Sequence, residues 1–156
     1  MTEQERRALA VVEATSSIDG LRRVLVDAKG RSDAVYRAAF TRLVQVSASD
    51  HADPVVRAYW EMVHTIEQIR REAGRKVWRM HRLRPKIERE GERSALEYCA
   101  RNKTDGFGEV LGYGLPEFTA EAIVLRFPEA FSAETLTIAR ERLISAEVDV
   151  AAAIAR

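Results

Sequence analysis

Cysteine is almost absent from this chain: Cys99 stands alone among 156 residues. One thiol closes no intramolecular disulfide and supports no cysteine-based zinc site. Its place after Leu96 and Tyr98 in a helical pattern marks it as a packing residue. Proline and glycine are scarce, at four and eight residues, which leaves little material for the turns of an all-β fold. No apolar run approaches the roughly 18–20 residues of a membrane span. Residues Met1 to Arg7 hold no apolar segment of the signal-peptide kind. The setting expected from these absences is the cytoplasm, with no membrane contact.

The usual arrangements for chemistry are missing too. Glu61 and His64 have the three-residue spacing that carboxylate-bridged metal bundles use. Such a site needs a second copy of the pair on a facing helix, and none follows. The serines and Cys99 occupy no glycine-framed elbow. The glycine pairs 106/108 and 112/114 follow no strand and precede no phosphate-loop lysine. No catalytic residue, metal or cofactor is therefore expected, although catalytic groups brought together from distant positions would leave no such trace.

What the chain does contain is helical periodicity. Hydrophobic residues make up 46% and charged residues 31%, the balance of a folded domain rather than a disordered tail. Short helices are expected over residues 3–14, from Asp19 to Lys29-Gly30, and from Ser32 to Val46. Ser47 to Asp53 reads as a polar loop. Asp53-Pro54 is a strong start signal, because aspartate accepts from first-turn amides and proline there loses no hydrogen bond. From that point Val56, Tyr59, Val63, Ile66, Ala73, Val77, Met80 and Ile87 recur at alternating steps of three and four. This seam predicts one long central helix over 54–90, with Arg70 and Arg84 out of character on it. Pro85 would kink or break that helix, and a broken helix would resume at Pro85 and stop at Gly91. Further helices are expected over 92–101, around 107–111 and over 133–146. Thr119 and Ser132, each after an aromatic residue, serve as repeated caps. The fold class is all-α: a helical bundle in one domain, 1–156, with short N-terminal helices (1–50), the long central helix and a C-terminal subdomain (92–146).

Net charge is +1, but its distribution is uneven. Residues 1–69 carry −1, residues 70–93 carry +6 and residues 94–156 carry −4. Within the basic stretch Arg71, Arg75, Lys76, Arg79, Arg82 and Lys86 fall at helical spacing off the seam and form a ridge, with Trp78 at its border. A ridge of this kind follows the phosphates of a nucleic acid. The acidic flanks offer the opposing reading, in which the same charges pair inside the molecule or across an assembly. An acidic protein partner is the remaining alternative. A helix-turn-helix over 119–145 would present Thr135, Thr137, Arg140 and Arg142 to a groove. The apolar seam asks for a partner helix, and a homodimer is the expected assembly. The function expected is a non-enzymatic nucleic-acid-binding regulator or accessory protein; the alternative is a helical adaptor or dimeric scaffold.

Overall fold

The computed structural model describes residues 1–75 and 84–155, with the backbone alone for 84–90. Every regular element among the described residues is helical. The chain divides into two compact units, Met1–Asp50 and His51–Arg156, and the boundary lies in the polar 47–53 loop.

The first unit holds α1 (Glu3–Ala14), α2 (Ile18–Ala28) and α3 (Asp33–Ser47). Thr2 and Glu5 form a reciprocal cap at the start of α1. Ser17, rather than the expected Asp19, caps α2 by accepting from the Gly20 amide at 3.1 Å. Ser32 caps α3 and also donates to Glu5 at 2.8 Å, tying α3 to α1. Leu21, Leu25, Ala39, Phe40, Leu43 and Val44 are buried at its centre.

In the second unit, α4 (Pro54–Glu72) starts where the sequence places it. The Asp53 carboxylate accepts from the Val55 and Val56 amides at 2.9 and 3.4 Å. These bonds hold its pKa below the ordinary carboxylate value, the Val55 amide contributing most. The far end departs from expectation. Instead of running to residue 90, α4 stops at Glu72. Gly74 adopts φ +68°, its amide donates to the Arg71 carbonyl, and the Arg75 amide donates to the Arg70 carbonyl. This pair of bonds satisfies the last carbonyls of a helix and needs a left-handed residue, a role for which glycine carries no Cβ penalty. Gly74 is therefore a stop signal, not a weak interior residue.

The heptad seam also describes α4 incompletely. Tyr59, Val63 and Ile66 are buried, but Val56 is only half-buried and Ala73 is exposed at the helix end. Val55, Ala58, Met62, Thr65, Gln68 and Ile69 are buried as well. A helix buried on most of its circumference needs more than a narrow stripe. Val77 and Met80 lie outside the described residues.

The helix α5 (Arg84–Arg101) is interrupted at Gly91, with φ 85° and ψ 172°. Pro85 occupies its first turn, where a missing N–H leaves no bond unmade. The segments on either side of Gly91 match the two helices expected once the long one is broken. There follow α6 (Asp105–Gly112), a 3-10 turn at Pro116–Phe118, α7 (Ala120–Arg126), a second 3-10 turn at Pro128–Ala130, α8 (Ala133–Ser145) and α9 (Val150–Ile154). The short helix α7 is the inner element: Ala120 to Val124 are all buried, and α4, α5, α8 and α9 all pack on it. Ala122, Leu143 and Ala153 form a buried cluster backed by Phe107, Leu125, Val148 and Val150, so the apolar C-terminal segment is docked. No helix among the described residues is long and apolar enough to cross a membrane.

Candidate nucleic-acid interface

The basic stretch begins in the last turn of α4, where arginines also complement the negative end of the helix dipole. Arg70, out of character on the seam, does not face solvent. Its Nε and Nη2 donate to the two oxygens of Glu109 on α6, at 3.1 and 2.9 Å. Both side chains are largely covered, at 18% and 14% exposure. The double hydrogen bond, foremost, holds the Arg70 guanidinium more firmly protonated than an ordinary arginine, against the opposing effect of burial. Arg75 approaches the same carboxylate at 3.8 Å while remaining 63% exposed. Arg71 is exposed.

Of the six ridge residues, the structure thus places Arg71 at the surface of the last turn and Arg75 just beyond the helix stop, beside Glu109. Lys76, Arg79 and Arg82 lie outside the described residues, as does the side chain of Lys86, whose backbone belongs to the first part of α5. Further along the basic stretch, Arg93 reaches the Asp53 carboxylate at 3.3 Å.

Several acidic groups of residues 94–156 are engaged with arginines outside the ridge. Arg101 contacts Glu97 at 3.7 Å and Glu134 at 3.2 Å. Glu97 also accepts from the Thr135 hydroxyl at 2.9 Å. Arg142 donates through Nε to Glu121 at 3.0 Å. The expected helix-turn-helix surface is depleted by these contacts. Thr135 is fully buried, and Arg142 turns inward, so two of its four groove-facing side chains are taken up by packing.

Glu61 and His64 differ in burial. Glu61 is buried at 8% exposure, while His64 sits 3.7 Å from Glu67. Among the described residues no group of three or more His, Cys, Asp or Glu is arranged to hold a metal ion. The Trp60 ring stacks on His51 with centroids 5.4 Å apart, a packing contact at the start of the unit. Cys99 is buried, at 5% exposure. Beside it on α4, burial pushes the Tyr59 phenol well above its ordinary pKa.

Sequence reasoning missed Glu109 and Glu121 as partners. A charged residue on an apolar seam flags Arg70, but its partner lies 39 residues away, and no local spacing reveals it. Neither a protein-family model, nor a curated protein, nor a solved structure matches this chain.

Proposed function

We propose that this chain is a non-enzymatic nucleic-acid-binding regulator or accessory protein that holds phosphates through Arg71, Arg75, Lys76, Arg79, Arg82 and Lys86. The observation that carries the reading is charge placement. Residues 70–93 hold a balance of +6; Glu109 takes Arg70 and approaches Arg75, and Asp53 takes Arg93, while Glu97, Glu121 and Glu134 of the acidic C-terminal region are occupied by Arg101 and Arg142. Arginine predominates in the stretch, and its planar fork suits a phosphate better than an ammonium does. Binding of this kind follows the backbone, releases counterions and weakens with salt. The setting we propose is the cytoplasm.

The test is a gel shift with a short duplex and a short single strand, comparing the wild type with the triple reversal R71E/R79E/R82E. The reading expects a complex that the reversal abolishes. A complex that survives it unchanged rejects this surface.

A second reading, an adaptor for an acidic protein, is favoured by one contact. Glu109 accepts from Arg70 in two bonds and lies beside Arg75, so a carboxylate is a ligand this stretch already takes. A pull-down partner lost on the same reversal, with no shift of nucleic acid, would select it. The homodimer expected from the heptad seam would rest on other residues, since Tyr59, Val63 and Ile66 are buried within one chain.

A further inference from the structure

The helix α7 carries one ionisable group into the interior of the second unit. Glu121 is 1% exposed, among Ala120, Ala122, Ile123 and Val124, which are buried around it. Its hydrogen-bonded side-chain partner is Arg142 on α8, which contributes one bond, from Nε at 3.0 Å. The guanidinium lies over the Phe107 ring of α6, 5.1 Å from its centroid. One arginine–carboxyl hydrogen bond therefore joins α7 to α8 beside the Ala122–Leu143–Ala153 cluster that also anchors α9.

The Arg142 bond and a hydrogen bond from Glu121's own backbone amide do not together offset the hydration lost at this depth. Burial, the largest influence, outweighs the hydrogen bond from Glu121's own backbone amide and the bond and charge of Arg142, and pushes the carboxyl up to about 7. Among the described residues Arg142 is the charged group that acts on it. On the other elements packed around α7, Glu97 and Arg101 of α5 are turned to Thr135 and Glu134. Asp149 caps its own helix, α9. Glu61 on α4 and Glu117 and Glu129 in the two 3-10 turns are further carboxylates on the elements packed around α7.

We propose that Glu121 and Arg142 form a proton-operated latch: proton uptake by Glu121 clamps α8 and α9 against α7, and proton loss loosens them. The direction follows from hydration. Separating α8 from α7 exposes Glu121 to water and returns it to an ordinary carboxyl value near 4.5. Between that value and about 7 the closed form holds a proton that the open form releases, so raising the pH favours opening. Above about 7 both forms are ionised, and the dependence ends.

Native-state hydrogen exchange of the full chain, corrected for intrinsic amide rates, tests the latch. In the wild type the opening equilibrium of α8 and α9 is expected to rise nearly tenfold per pH unit from about 5 to 7 and then to level off. In E121Q the α8 and α9 amides should show no such rise. A flat wild-type profile, or the same rise in E121Q, overturns the proposal. Should E121Q not fold, carbon NMR of the wild-type Glu121 carboxyl decides: a midpoint near 7 supports the latch, and one near 4.5 overturns it.

Discussion

Two of the arginine–glutamate pairs of the second unit, Arg70–Glu109 and Arg142–Glu121, differ in what surrounds them. Arg70 meets Glu109 with two hydrogen bonds at the rim of the fold, with both side chains still touching solvent. Arg142 meets Glu121 with one, and that carboxylate is almost completely enclosed. At the rim the geometry satisfies both partners, and the arginine proton is held more tightly. In the interior the carboxyl group retains its proton up to about neutral pH despite its partner. The same two residue types thus give a fixed clasp in one place and a titrating contact in the other. Hydration removed, weighed against bonds returned, sets the difference.

The largest effect should come from cutting the interior pair on one side. Arg142→Ala leaves Glu121 buried without its counter-charge, a change that costs about 3–5 kcal/mol when the group stays ionised. Protonation of Glu121 offers an escape, so the loss measured by urea denaturation should be smaller at pH 5 than at pH 8. An equal loss at both values would remove the distinction between the two pairs.

Wild-type stability should itself carry the signature of Glu121. Its folded value, about 7, lies above the ordinary 4.5, so the folded state binds the extra proton between them. This contribution is fully present below about 4.5 and is lost as pH rises to about 7, at up to roughly 1.4 kcal/mol per pH unit. Glu121→Gln should flatten that part of the profile. An unchanged slope would assign the titration to other groups.

At the rim the expected loss is smaller. Arg70→Ala strands Glu109 at the edge of solvent and should cost about 1–3 kcal/mol, with little change between pH 6 and 8. Glu109→Gln sharpens the comparison further, because it releases Arg70 and Arg75 from a carboxylate. It should weaken the fold and yet tighten nucleic-acid binding a few-fold, measured by anisotropy. Tighter folding with weaker binding would reverse both assignments.

The smallest effect concerns where the stretch departs from α4. Gly74→Ala in the middle of a helix would stabilise it by roughly 1 kcal/mol. At the left-handed position seen here, it should destabilise by about 1–2 kcal/mol. The sign of that change in thermal melting separates the two geometries.

Much of the architecture is legible in the sequence because local chemistry determines it. Ser32, Asp53, Thr119 and Ser132 cap the helices their positions announce, and Gly91 separates two segments as its neighbours suggest. The departure at Ala73–Gly74 arises because a heptad pattern continues through Ala73, Val77 and Met80 in the sequence while Gly74 carries the competing instruction to stop. Periodicity over several turns outweighs one glycine on the page; in the structure, the φ of that glycine ends α4. Partners distant in sequence, such as Glu109 for Arg70 and Arg142 for Glu121, leave no local trace. Arg71 and Arg75 are legible as basic surface residues, but Arg75's neighbour Glu109 is known only from the fold.

The most direct measurement of the functional account is the salt dependence of nucleic-acid binding by the unmodified protein. Six phosphate contacts on a duplex predict a linear fall of log affinity with log salt, with a slope of about −5. Binding that is absent at low salt, or present with a slope near zero, would contradict a phosphate-holding ridge.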